Sequence, residues 1–206
     1  MPQITQGIRS VLSIPDIYSL FGQMIGGASG RKIFVREYIR PKRGDRMLDI
    51  GCGPGDIVPY LTESVEYLGF DASQEYIESA RKRFGDRATF ICEPVSTKTL
   101  EQQSYFDIVL AVGILHHLDD AEALQLFHLA KAALKPGGRL ITLDGVYIDK
   151  QSFCARYIIS KDRGQNVRTK AEYLAIATQV FSEITVSIRH DMLRIPYTHL
   201  ILECIR

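Results

Sequence analysis

Apolar and polar positions alternate along this chain in a pattern typical of an α/β protein. Five short apolar segments predict strands, in the order RMLDIG, YLGFDA, ATFICE, FDIVLAVG and GRLITLDG. Three segments with apolar residues at helical spacing lie among them: DIVPYLTESV, SQEYIESARKRFG and DAEALQLFHLAKAAL. This alternation predicts a doubly wound, mostly parallel sheet with helices on both faces.

The pattern changes after Gly145. A longer mixed segment extends to about Val180, and two segments that alternate like antiparallel strands follow it, SEITVSIRH and YTHLILECI. With the five earlier strands they predict a seven-stranded sheet that ends in an antiparallel hairpin.

Composition narrows the class of protein. The chain has 206 residues, of which 46% are apolar, enough for one domain with a sizeable core. Its 25 basic and 24 acidic side chains leave a net charge of +1, so we expect no nucleic-acid partner. No apolar run is long enough to cross a bilayer, and Arg9, Pro15 and Asp16 interrupt the N-terminal apolar stretch. We therefore expect a cytoplasmic protein with no membrane partner; the oligomeric state stays open.

The four cysteines do not form a metal-binding pattern. They are scattered along the chain as Cys52, Cys92, Cys154 and Cys204. No C-x-x-C pair is present, and no histidine stands at metal-ligand spacing. We expect reduced thiols and no metal.

Three glycines directly after the first predicted strand indicate a ligand site. A glycine-rich turn between a strand and a helix presents backbone N–H groups and a positive dipole end, without side chains to block a ligand. Gly51, Gly53 and Gly55 are spaced G-x-G-x-G, whereas dinucleotide sites need G-x-G-x-x-G, and this argues against a pyrophosphate. Asp71, at the end of the next strand, is placed to accept hydrogen bonds from a ribose diol. The site thus fits an adenosine-like group with a modest tail.

Four motifs carry a resemblance to a known family. LDIGCGPGD, GFDAS, FDIVLAVGILHHLDD and LKPGGRLITLD resemble, in order and separation, the motifs of the class I S-adenosylmethionine-dependent methyltransferases, of the small type 11-like kind. The resemblance covers about residues 46–144, and the last two strands are similar to the hairpin that ends that Rossmann-like fold. It implies S-adenosyl-L-methionine as cofactor and S-adenosyl-L-homocysteine as product.

The resemblance also implies roles for individual residues. Those implied around the methionine part of the cofactor are Asp49, Gly51, Cys52, Gly53 and Gly55. Asp71 would hold the ribose hydroxyls and Ala72 would line the adenine. Those implied at the adenine edge are Glu93, Pro94 and Val95, although many relatives carry an aspartate here. Those implied to face the sulfonium are Ala111, Val112 and Gly113.

Structural alternatives exist for three of these residues. Asp49 would cap the glycine turn, and Asp71 would cap the helix that begins after Ser73. Cys52 is expected to pack rather than react, because the turn needs only its backbone.

His116 is the candidate catalytic base. Histidine titrates near neutral pH, and a hydroxyl acceptor would gain from a base that removes its proton. A carbon enolate, a neutral amine or a thiolate would need none. We expect His117 to point away and to cap the following helix, and His128 to be structural.

Segments outside the core are candidates for acceptor contacts. Tyr18 and Phe21 lie at helical spacing before an IGGASG hinge, which predicts a lid with Tyr18 near the cofactor. The alternative is a helix packed permanently on the sheet. Arg163 and Arg168 in DRGQNVRT, with Tyr197, would bind an anionic or polyhydroxylated acceptor; alternatively Arg163 pairs locally with its neighbour Asp162.

We therefore predict a single methyltransferase domain over residues 1–206. Its parts are an N-terminal helical lid (1–44), a cofactor-binding core (45–145), a substrate-side insertion (146–180) and a terminal β-hairpin (181–206). The expected reaction is methyl transfer to a small-molecule or saccharide acceptor, with oxygen slightly favoured. No N-P-P-Y motif follows the fourth strand, which argues against DNA. Two alternatives stay open: a non-catalytic cofactor-binding protein with a regulatory or assembly role, and a nicotinamide-dependent oxidoreductase, which the glycine spacing disfavours.

Overall fold

The structure is a computed structural model that describes residues 26–96, 104–161 and 164–206. The expected roles of Tyr18 and Arg163, and most of the predicted lid, fall outside these residues. In the described part of the chain, no helix combines the length and the apolar character that a membrane span requires.

A twisted sheet organises the domain. Its strands are β1 (Arg46–Ile50), β2 (Glu66–Asp71), β3 (Thr89–Cys92), β4 (Phe106–Val112), β5 (Leu134–Tyr147), β6 (Arg168–Thr169), β7 (Glu183–Arg189) and β8 (His199–Ile205). Seven of them follow the order β3-β2-β1-β4-β5-β8-β7, and the two-residue β6 pairs with the end of β5. The first five are parallel, whereas β8 runs antiparallel to both β5 and β7. The predicted sheet and terminal hairpin are confirmed.

Helices cover both faces of this sheet. They are α1 (Gly27–Phe34), α2 (Gln74–Phe84), α3 (Asp120–Ala133), α4 (Phe153–Ser160) and α5 (Lys170–Ala177). On one face, α3 and α5 bury Phe127 and Tyr173 in a first core. On the other, α1 and α2 bury Phe34 and Ile77 in a second core. Burial of such side chains is the main favourable term in folding.

One predicted helix cap is confirmed and another is wrong. The Ser73 hydroxyl accepts a hydrogen bond from the Tyr76 N–H at 3.3 Å and caps α2 as predicted. The cap of α3 is Asp119 and not His117, since Asp119 and Glu122 form a reciprocal capping box.

The helix predicted directly after the glycine turn is wrong. This stretch forms only a short 3₁₀ turn, Val58–Tyr60, and the backbone is extended again at Leu61. Pro59 has no N–H to donate, and the N–H groups of Tyr60 and Leu61 bond to the carbonyls three residues earlier, as in a 3₁₀ turn.

The described part of the IGGASG segment is packed. Gly27 and Gly30 are buried in α1, and a Cβ on Gly30 would collide with the backbone carbonyl of Met192. A π-helical turn, Val35–Ile39, continues α1 onto the sheet. Residues 27–39 are therefore helical and packed against the sheet side of the domain, and whether they move stays untested by this arrangement.

Candidate active site

The carboxyl ends of β1, β2, β4 and β5 open onto one cavity. Ligands in open α/β sheets bind at these ends, where the strand order reverses, here between β1 and β4. The described residues enclose about 1420 Å³. A site for one ligand measures about 300–1,000 Å³, so this cavity has room for a cofactor and an acceptor together.

Asp49 places a buried negative charge in the cavity wall. It lies near the end of β1 and is only 3% exposed. Its Oδ2 accepts a hydrogen bond from the Tyr67 hydroxyl at 2.6 Å, while Oδ1 is buried and has no hydrogen-bond partner among the described residues. Burial raises the pKa of Asp49 to about 6, against the lowering effect of the Tyr67 hydrogen bond; the nearby Asp71 charge adds to the rise. The free Oδ1 is suited to a positively charged ligand group.

The glycine turn provides open space rather than free N–H groups. The N–H groups of Gly51 and Cys52 both donate to the Phe70 carbonyl, at 2.8 and 2.9 Å. The Gly53 N–H donates to Asp71 Oδ2, and nothing lies within 4 Å of a Cβ built on Gly53. These three N–H groups are therefore used inside the protein, contrary to the prediction, and the open side of Gly53 admits a ligand.

Gly55 is not part of the cavity wall, which differs from its implied role. A Cβ on this residue would lie 3.0–3.2 Å from the rings of Phe90 and Phe84, so the glycine allows close packing against β3 and α2. Cys52 lines the cavity but burial raises the pKa of its thiol, which agrees with a packing role.

Asp71 accepts hydrogen bonds from two backbone N–H groups, whereas Ser73 caps α2; the ribose role of Asp71 stays a prediction. Its Oδ1 accepts from the Ser73 N–H at 2.8 Å and its Oδ2 from the Gly53 N–H at 2.9 Å. Burial raises the pKa of Asp71, and these two hydrogen bonds lower it. Each carboxylate oxygen keeps acceptor capacity, so the residue orders the glycine turn and can still receive ribose hydroxyls.

The other implied cofactor residues divide into two groups. Those that line the cavity are Ala72, Glu93, Pro94, Val95, Val112 and Gly113. Ala111 does not: it is fully buried inside the sheet, because alternation along β4 points it away from the cavity. Gly113 has a positive φ of 67° and donates its N–H to the Leu143 carbonyl at 2.8 Å.

His116 is paired with a carboxylate that sequence reasoning missed as a site residue. Both His116 and Asp144 line the cavity, with exposures of 7% and 2%. The imidazole Nδ1 lies 2.8 Å from Asp144 Oδ1, and the same oxygen accepts from the His116 N–H at 3.3 Å. A neighbouring carboxylate favours the tautomer with the proton on Nδ1, in which Nε2 is the ring nitrogen that carries the lone pair. The Cε1 atom lies 3.8 Å from where a Cβ on Gly113 would stand, next to the implied sulfonium position.

Of the residues predicted to bind the acceptor, Tyr197 lines the cavity and Arg168 does not. Tyr197 lines the cavity beside His199, with ring centroids 4.6 Å apart. Arg168 does not line it: it is 6% exposed, and all five of its N–H donors bind protein oxygens. Its structural partners leave no donor for an acceptor molecule.

The rim of the cavity is fixed by an ion-pair triad. Asp56 binds Arg31 at 3.0 Å and Arg83 at 2.8 Å. The triad connects α1 and α2 to the end of the glycine turn. Sequence reasoning missed it because its members are 25 and 27 positions apart.

Comparisons with known proteins agree with this geometry. A family model described as "Methyltransferase domain" matches residues 47–138. The chain is 27% identical to the ubiquinone biosynthesis O-methyltransferase of Idiomarina loihiensis over 111 residues, 52% of this chain and 45% of that protein. It is 34% identical to the 27-O-demethylrifamycin SV methyltransferase of Amycolatopsis mediterranei over 106 residues, 48% of this chain and 38% of that protein. The chain thus spans less than half the length of the curated relatives it matches.

A solved structure shows the same fold. The TehB-like SAM-dependent methyltransferase from Corynebacterium glutamicum superposes with a TM-score of 0.62 at 18% identity, covering 93% of this chain and 98% of that one. Residues 47–138 thus match a methyltransferase domain, and the chain has the fold of the class I S-adenosylmethionine-dependent methyltransferases.

Proposed function

We propose that this chain methylates a hydroxyl oxygen of a small-molecule acceptor, with His116 as the general base. The observation that carries the proposal is the His116–Asp144 pair in the cavity wall, beside Gly113. The names of two relatives, an O-methyltransferase and a methyltransferase of 27-O-demethylrifamycin SV, support oxygen as the acceptor atom.

The described residues fit the cofactor. The unpartnered Oδ1 of Asp49 suits the ammonium of its methionine part, and Asp71 suits the ribose diol. The open side of Gly53 has room for the part of the cofactor that joins its ammonium to its ribose. When bound, S-adenosylmethionine supplies a methyl group that its sulfonium already activates.

His116 and Asp144 would handle the proton. As the acceptor oxygen forms its bond to the methyl carbon and the carbon–sulfur bond breaks, the hydroxyl proton moves to His116 Nε2. Asp144 holds the ring through Nδ1 and stabilises the imidazolium that results. His116 would then pass the proton to water, and S-adenosylmethionine, having supplied the methyl group, would leave as S-adenosylhomocysteine.

Apolar and aromatic side chains in the cavity lining favour a largely apolar small molecule as acceptor. They include Tyr157, Ile158, Ile195 and Tyr197. Polar side chains such as Gln125, Lys161 and His199 line the same cavity and would bind the polar groups of the acceptor. Neither a nucleic acid nor a macromolecular partner is part of the proposal.

The test is the release of S-adenosylhomocysteine. The purified chain is incubated with S-adenosylmethionine and a panel of phenols, aliphatic alcohols, sugars, thiols and amines, and the product is measured by mass spectrometry. We expect turnover with hydroxyl compounds, and His116→Gln should lower kcat about 10²–10⁴-fold. His190→Gln is the matched control, because His190 is exposed and lies outside the cavity.

The outcomes separate three functions. Full activity of His116→Gln would contradict the base role. Turnover with thiols or amines alone would contradict O-methylation. Tight binding of S-adenosylhomocysteine without turnover on any acceptor would favour a non-catalytic binding protein.

A further inference from the structure

We propose that Arg168 is a positioning residue for His116. Together with Gly164 and Asn166 it forms what we call the turn clamp, which holds the 3₁₀ turn Leu115–His117 in place. The inference rests on the proposed function, since it assigns the clamp a role through the base. The proposal also gives the insertion, residues 146–180, a role that differs from the acceptor binding that its composition predicts.

Arg168 holds both ends of the turn. Its Nη1 donates to the Leu115 carbonyl at 2.9 Å and its Nη2 to the Leu118 carbonyl at 2.8 Å. These two carbonyls flank His116 and His117 in the sequence. A planar guanidinium can bridge two fixed acceptors, whereas an ammonium is a point charge without this geometry.

The charge of Arg168 is compensated from outside the core. Its Nε and Nη2 both donate to Asp120 Oδ1, at 2.9 and 2.7 Å. The side chain of Asp120 is 82% exposed, whereas that of Arg168 is 7% exposed. Asp120 is also the first residue of α3, so the same contact connects the turn clamp to that helix.

The backbone of the clamp contacts His116 itself. The Asn166 N–H donates to the His116 carbonyl at 2.9 Å. A Cβ on Gly164 would collide with Cδ2 of the His116 ring and would lie 2.6 Å from the His116 carbonyl oxygen. Only a glycine allows the chain to pass this close to the imidazole.

The imidazole is thus held from two directions. Asp144 on β5 fixes its Nδ1, and the turn clamp fixes the backbone that carries it. A base must stay within hydrogen-bond reach of the acceptor hydroxyl, and a 1 Å misplacement can cost on the order of 10²-fold in rate. The clamp therefore sets the geometry of the base without touching acceptor or cofactor.

Two variants perturb the clamp, and one serves as control. Arg168→Lys keeps the charge but cannot reach both carbonyls, and Gly164→Ala adds one carbon against the ring. The matched control is Arg189→Lys, since Arg189 also has several partners, namely Glu37, Tyr38 and Asp191, but lies away from the turn.

A double-mutant cycle on kcat is the first test, with the acceptor found in the panel. Arg168→Lys should lower kcat about 10- to 100-fold, with the Kd of S-adenosylhomocysteine within about twofold of wild type. In the His116→Gln background the same substitution should cause no further loss, because the residue acts through His116. An equal loss in both backgrounds would overturn the proposal, since a purely structural role is additive.

Nitrogen NMR of the histidine side chains is the second test and needs no acceptor. The His116 signals, assigned with His116→Gln, should show the proton on Nδ1 in the wild type. Arg168→Lys and Gly164→Ala should shift or broaden them, whereas Arg189→Lys should not. Unchanged His116 signals in both clamp variants would overturn the proposal. If the wild-type protein transfers no methyl group but the clamp variants still shift the His116 signals, the result supports the clamp and contradicts only the proposed function.

Discussion

Asp49→Asn should stabilise the cofactor-free protein and weaken cofactor binding at the same time. The carboxylate is buried, and its Oδ1 has no partner among the described residues, so its charge is costly to the fold. Asparagine keeps an oxygen that can accept the Tyr67 hydroxyl hydrogen bond, and it removes the charge. The same charge is what we expect to bind the ammonium of the cofactor.

The size and sign of the stability effect follow from the pKa. The pKa of Asp49 is about 6 in the folded protein against an ordinary value of 3.8, so the fold binds this proton more tightly than the unfolded chain does. The penalty is therefore absent below about pH 4, grows as the pH rises from about 4 to about 6, and is fully present above. At pH 7.5 it amounts to roughly 3 kcal/mol.

Urea unfolding and calorimetry check the two effects. At pH 7.5 the variant should exceed the wild type in free energy of unfolding by up to about 3 kcal/mol, and near pH 4 the difference should vanish. Its affinity for S-adenosylhomocysteine at pH 7.5 should be about 10- to 100-fold lower. In the wild type, binding should weaken as the pH falls below about 6.

Asp107→Asn is the control, because it should change the free energy of unfolding in the opposite direction. Asp107 is half-buried, and its hydrogen bonds to Lys135 and the Arg46 N–H hold its pKa below the ordinary value despite partial burial. Its substitution should destabilise the protein at pH 7.5 and leave cofactor binding unchanged. An Asp49→Asn protein that is less stable at pH 7.5 and binds S-adenosylhomocysteine as the wild type does would refute the reasoning.

Three further predictions concern other parts of the molecule. Asp71→Ala should cost about 1.5–3 kcal/mol of S-adenosylhomocysteine affinity in calorimetry, and unchanged affinity would rule out the ribose role. Gly30→Ala should lower the free energy of unfolding by about 1–3 kcal/mol, because its Cβ meets the Met192 backbone, whereas the exposed Ser29→Ala should have little effect in urea titrations. Iodoacetamide at pH 8 should label exposed Cys154 in the folded protein, but buried Cys204, whose pKa burial raises to about 12, only after unfolding; equal labelling rates measured by mass spectrometry would contradict this.

The sequence is most informative where a local rule decides the structure. Alternation and apolar runs predicted the strands of the sheet, because burial on both faces requires apolar side chains throughout. The Ser73 cap followed from the preference of hydroxyl side chains for helix starts. The motif order predicted that Asp49, Gly53 and Asp71 lie together, and all three line the cavity; their contacts with a cofactor stay a prediction.

Contacts between distant segments were out of reach. Asp144 meets His116 only because β4 and β5 are neighbours in register, and no spacing in the sequence encodes that pairing. Arg168 has the composition of an acceptor-binding residue, yet the carbonyls of a turn about 50 positions earlier occupy it. Gly55 matches a ligand motif, but two aromatic rings surround it.

The most direct test of the account is a calorimetric titration of the wild-type chain with S-adenosylhomocysteine, with NAD as the control ligand. We predict one-to-one binding of S-adenosylhomocysteine in the micromolar range and no binding of NAD. Absence of S-adenosylhomocysteine binding, or a preference for NAD, would contradict the assignment of the cavity to a methyl donor.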